Sequence, residues 1–279
     1  MIERDITTIV NSAENQRVQG NFVKAITLAR EHSQINTTEI SELTWKQLTS
    51  FMQLWRILTV SLMSLANGKW NGNEAAKLLL EARDVFRTYY NHLCVKLAAS
   101  EMKTAPAETE YQILEILAEM YRDQGNWWQR WARLTGIARY LEKAIDCYDK
   151  AVQAAIEGSS AWGVATMERE IAKRQRGEKI DWNAFSCAYR KVVELAPQTG
   201  GWDRKAAVSW WYLREAILAG RLEGIKEGFN NLLSACQEGK TSWIKYPLKE
   251  LIQLVFSKVR ENTYTGYEDP DLAALTTRT

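Results

Sequence analysis

Histidine is nearly absent from this 279-residue chain, with two, and proline is scarce, with four. His32 and His92 fall in separate segments and in no His-Glu-x-x-His spacing, so a histidine-based metal or acid/base centre lacks its raw material. The shortage of proline leaves long stretches free to be helical. Cys94, Cys147, Cys187 and Cys236 lie far apart, each inside an apolar helical pattern and none at metal-ligand spacing. They are expected to be buried thiols in a reducing compartment. No charge of one sign dominates, since 36 Lys and Arg stand against 34 Asp and Glu. That balance does not predict a strongly electrostatic partner such as duplex DNA or an anionic membrane, although a local patch could still matter. No stretch approaches the ~18 uninterrupted apolar residues of a membrane span, and Met1-Ile2-Glu3-Arg4-Asp5 opens no signal-peptide run. A soluble, cytoplasmic protein is the expectation.

What is present is helix. Hydrophobic residues make up 46% of the chain, which could bury a large core as one extended array or as two compact domains. Three times a glycine, a polar residue and an aromatic follow one another: Gly20-Asn21-Phe22, Gly68-Lys69-Trp70 and Gly125-Asn126-Trp127. Each is read as the turn of a helix-turn-helix unit. In the first unit Ala25 and Ala29, four apart, would let two antiparallel helices approach closely. In the second, Trp55, Leu58, Leu62 and Leu65 form one stripe and Leu79, Ala82, Phe86, Tyr89 or Tyr90, and Leu93 the answering one. Lys103 to Ala107 is the candidate break between an N-terminal part over 1–102 and a second part over 108–262. Further helices are expected over 108–124, 138–156, 161–176, 182–196 (ending at Pro197), 204–219 and 222–236. Tyr148, Tyr189 and Phe229 recur at matching places on second helices, a regularity that argues for stacking. Ser242 to Glu261 reads as a final amphipathic helix capping the array, and 263–279 as a loose tail.

Leu117, Ala118, Tyr121 and Gly125, with Ala144, Tyr148 and Ala151, and with Tyr189, Val192 and Pro197, resemble the tetratricopeptide repeat family, whose units of about 34 residues are helical hairpins. Gly20, Ala25 and Ala29 match in the first unit. The units here run longer, and Trp128 to Gly136 intervenes between a first-helix match and its second-helix match. The resemblance implies an all-α fold: a right-handed α-solenoid of antiparallel hairpins with a C-terminal capping helix. It further implies a groove, lined mainly by first helices, that holds a peptide or another protein's surface. Carried onto the matched first helices, the groove positions are Gln112, Glu115, Glu119 and Arg122 in one unit and Trp210, Trp211, Arg214 and Glu215 in another.

The chain offers no nucleophile, base and orienting group in a shared pattern, and no phosphate loop, since Gly200-Gly201 has no downstream Gly-Lys-Ser/Thr. No catalytic residue, metal or cofactor is therefore expected. Glu115 and Glu119, four apart on one helix, are read as a solvated face. A secondary surface combines Trp128, Arg130, Trp131 and Arg133 with Arg174 and Arg176. Interleaved aromatics and guanidinium groups can stack bases or grip an acidic peptide, while tryptophans packed inward and cations at a helix C-terminus account for the same pattern structurally. The expected function is a non-enzymatic scaffold, adaptor or regulatory subunit that binds a protein or peptide segment. The alternative is an accessory protein of single-stranded nucleic acid or a nucleoprotein complex.

Overall fold

A computed structural model describes residues 3–34, 43–69, 72–90, 93, 107–199, 201–239 and 257. These form ten α-helices and one π-helical turn, with no strand among the described residues. The chain is all-α. It divides into two compact units, 1–180 and 181–279. The expected capping helix (apart from Ser257), the tail, Asn36 to Glu39, Cys94 and His92 lie outside the described residues.

The first unit holds α1 (Glu3–Val18), α2 (Phe22–His32), α3 (Trp45–Asn67), α4 (Gly72–Val85), α5 (Ala107–Thr135), α6 (Arg139–Ala154) and α7 (Ser160–Gln175), with the π turn Phe86–Tyr90 continuing α4. Each helix packs on the next in sequence order, and α1, α3, α5 and α7 also touch in succession. The chain before and after the expected break at 103–107 is packed together, because α5 lies against both α3 and α4.

Local chemistry explains the starts and stops. Gly20 takes a φ of 78° between α1 and α2, a left-handed conformation that costs an L side chain energy and glycine nothing. Thr44 opens α3 with a reciprocal capping box to Gln47, which satisfies two otherwise orphaned N–H groups. Ser159 accepts from the Trp162 N–H at the start of α7.

Two contacts fix the direction of α5 against α4: Trp127 Nε1 donates to the Leu79 carbonyl at 2.6 Å, while the start of α4 at Gly72 lies beside Leu134. As the residue number rises on one helix it falls on the other, so the pair is antiparallel. The same holds for α5 and α6, where Gly125 meets Tyr148 and Trp128 stacks on Tyr140. The core runs through Met52, Leu54, Trp55 and Leu62 of α3, with Ala25 and Ala29 of α2, all fully buried. By length and hydropathy α3 could cross a membrane, but two-thirds of its apolar window is buried inside this core.

One expected turn is overturned. Gly125-Asn126-Trp127 lies inside α5, which runs unbroken to Thr135. The reversal comes at Gly136, with φ 71°. Gly125 is there for a different reason: a Cβ at this position would stand 2.6 Å from Tyr148 Cε1.

The second unit holds α8 (Trp182–Thr199), α9 (Trp202–Leu218) and α10 (Leu222–Gly239). Tyr189 of α8 stacks on Tyr212 of α9 with ring centroids 4.0 Å apart. Gly228 of α10 faces the Leu213 backbone so closely that a Cβ would come within 3.0 Å of it. Pro197 does not end α8 as expected but lies inside its last turn. Tyr148 and Tyr189 are fully buried, whereas Phe229, their expected equivalent, is 46% exposed. Cys147 and Cys236 are buried as expected, but Cys187 is exposed.

Candidate functional site

The polar residues Glu119, Arg122, Asp123, Asn126 and Arg130 recur at intervals of three and four and so share one face of α5. The neighbouring Trp127 is turned toward α4, held by its bond to Leu79. On the polar face, Arg56 of α3 donates from Nε to Asp123 Oδ2 at 2.8 Å and from Nη2 to Glu119 Oε2 at 2.7 Å. Arg122 pairs with Glu119 at 2.8 Å and Asp123 at 3.3 Å, and its Nε stands 3.4 Å from Glu168 Oε2 of α7. Asn126 donates to the other Glu168 oxygen at 3.2 Å and accepts from the Tyr148 hydroxyl of α6 at 3.1 Å. Gln129 donates to Gln175 of α7 at 2.9 Å. From Asn126 to Gln129 the partners advance from Glu168 to Gln175, so α5 and α7 run parallel.

This network is deep, with Asp123 only 2% exposed. Burial pulls the Arg56 guanidinium down, but the facing Glu119 and Asp123 carboxylates hold it above its ordinary range. Arg122 is held up in the same way against its own burial, by Glu119, Glu168 and Asp123. At Glu168 burial wins over Arg122 and Asn126, and the carboxyl is pushed up to about 7. Burial lowers Arg130. A buried ion network contributes little net stability over an apolar core, yet removing one member strands its partners at a cost of ~3–5 kcal/mol. Its consequence here is to tie α3, α5 and α7 to one another.

The residues expected in a groove are placed as follows. Gln112 is exposed and Glu115 half-buried on the first half of α5. Glu119 is 7% exposed, so the reading of Glu115 and Glu119 as a solvated face fails at Glu119. Its charge is engaged by Arg56 and Arg122. Trp210, Trp211, Arg214 and Glu215 all lie on α9 of the second unit. Trp210 and Glu215 are buried, while Trp211 packs half-buried against the Trp210, Leu213 and Ile217 cluster. Arg214 donates twice to Glu215, at 3.1 and 2.7 Å.

Of the secondary surface, Trp128 and Trp131 are half-buried, Trp131 stacking on Trp127 with centroids 5.4 Å apart. Arg130 and Arg174 are half-buried, Arg133 is exposed, and Arg176 is exposed and paired with Glu178.

Arg56, Asp123, Asn126 and Glu168 were not expected at a site. One sequence signal points toward Asp123 among these four. An arginine followed by an acid recurs as Arg122-Asp123, Arg169-Glu170 and Arg214-Glu215 on α5, α7 and α9. In each, the arginine donates to the carboxylate that follows it. Those carboxylates are 2%, 1% and 0% exposed, buried enough to need the charge.

Among the described residues no group of three or more His, Cys, Asp or Glu side chains is placed to hold a metal ion. Comparison with protein-family models and with curated proteins finds no match to the chain.

Proposed function

We propose that the chain is a non-enzymatic scaffold or adaptor of the tetratricopeptide-like kind, built as a right-handed array of hairpins that presents a groove to a protein or peptide segment. The observation carrying this reading is the succession of first helices α1, α3, α5 and α7, each touching the next. Such an array offers an extended wall whose shape is preset by packing, which lowers the entropy cost of binding a flexible segment. The ion network supports the reading by immobilising α3, α5 and α7 against one another. Base stacking is not proposed for the Trp127 to Arg139 segment, because Trp127 is 3% exposed and Trp128 is covered by Tyr140 and Lys143.

The test is selection of ligands for the full chain from a random peptide display library, followed by calorimetric affinities. Charge insertion at the exposed Gln112 of α5 (Gln112→Arg) is expected to weaken the peptides that the first unit binds, and truncation on α9 (Trp211→Ala) those that the second unit binds, each about tenfold or more. Failure to select any peptide, or equal affinity in both variants and the parent, overturns the groove reading.

A further inference from the structure

We infer that the exposed end of the α5–α6 hairpin is a docking surface for an anionic lipid bilayer. Every residue from 133 to 139 is exposed. The reversal at Gly136, with φ 71°, leaves Leu134 39% and Ile137 40% exposed at its apex. Leu134 reaches the start of α4 at Gly72, yet both aliphatics keep about two-fifths of their surface in solvent at this one turn.

Three cations surround this apex: Arg133, Arg139 and Lys143. Across residues 133–143 they face a single acid, Glu142. Among the described residues none of the three is ion-paired, whereas Arg17, Arg30, Arg56, Arg122, Arg169 and Arg214 all are. Lys143 and Arg139 rest instead on aromatic rings, Lys143 Nζ 4.4 Å from the Trp128 centroid and the Arg139 guanidinium 5.5 Å from that of Tyr140. A cation held by a ring face keeps its charge and its outward N–H groups for an external anion.

Charge complementarity therefore calls for an anionic partner, and shape selects among the candidates. A single strand of nucleic acid needs free ring faces, but Trp128 has Tyr140 and Lys143 against it, and Trp127 and Trp131 stack on each other. An acidic peptide needs a cleft, and a run of seven exposed residues at a turn is a projection. Aliphatics at a projecting tip, cations around it and amphipathic Trp and Tyr behind it match the layers of a bilayer interface: acyl chains, anionic headgroups and the interfacial belt between.

The experiment is co-sedimentation of the full chain with phosphatidylcholine vesicles, with and without phosphatidylserine, at low and high salt. Binding to the phosphatidylserine vesicles that falls with salt is expected. It should drop about a hundredfold when Arg133, Arg139 and Lys143 are all replaced by Gln. A separate Ile137→Asp variant, which leaves all three cations in place, should also bind more weakly. These side chains are exposed, so unchanged circular dichroism and melting confirm that the variants are folded. The inference is overturned if phosphatidylserine vesicles are not bound at low salt, or if the triple variant binds as well as the parent. Binding of polyglutamate or an oligothymidine in preference to the vesicles overturns it equally. Peptide selection in the groove is independent of every one of these outcomes.

Discussion

Gly125 and Glu168 show how much a single residue decides here. Replacing a glycine inside a helix with alanine ordinarily stabilises by about 1 kcal/mol. At Gly125 the new methyl would lie 2.6 to 2.9 Å from three atoms of the fully buried Tyr148 ring. Gly125→Ala is therefore expected to destabilise by ~1–3 kcal/mol in urea unfolding; a more stable variant would show that the ring moves aside without cost. Glu168 acts through pH. Its carboxyl is raised by burial from 4.5 to about 7, so between those values the folded chain holds a proton that the unfolded chain has released. Stability must then fall as pH rises across that window and level off above it, by on the order of 3 kcal/mol for this group. Glu168→Gln should remove that part of the slope. Parallel stability curves for the two proteins between pH 5 and 8 would rule the assignment out. Neither residue's role was legible beforehand. Gly125-Asn126-Trp127 has the same local form as Gly20-Asn21-Phe22, and only the distant Tyr148 ring separates a close approach from a turn.

Single helices were legible to the extent that their chemistry is local. The reversals at Gly20, Gly177 and Gly220 combine a break in apolar period with a glycine, and all three glycines take positive φ. Trp55, Leu58 and Leu62 on α3, with Leu79 and Ala82 on α4 and Phe86 in the π turn, reached the core as their spacing implied, whereas Leu65 is half-buried. The polar face of α5 was not legible as a network, because its counter-charges come from α3 and α7, 63 to 67 residues before it and about a helix pair after it. Arg122 was expected to face a ligand and instead binds three carboxylates. Arg122→Ala should accordingly lower unfolding free energy by ~3–5 kcal/mol. Arg122→Lys should recover only part of this, since a point charge cannot satisfy three acceptors arranged around a planar fork. Equal stability of Arg122→Ala and the parent would mean that water replaces the guanidinium at no cost.

On the scale of the whole molecule, the two compact units meet in sequence at Ile180 and Asp181, just past an exposed run from Gln175 to Lys179 with Gly177 at φ 101°. Limited trypsin digestion is expected to cut at Arg176 or Lys179 and leave a first-unit fragment that keeps its helical circular dichroism and melts cooperatively. Rapid loss of that fragment to small peptides would show that the first unit does not stand alone. The repeated Arg-acid dipeptide has a consequence that reaches past this one chain. An arginine neutralised by its own sequence neighbour brings its counter-ion along whenever its helix is duplicated, deleted or transplanted. Arg214-Glu215 is the plainest instance: the carboxylate is fully buried, and the cation that answers it is the residue just before it in the chain.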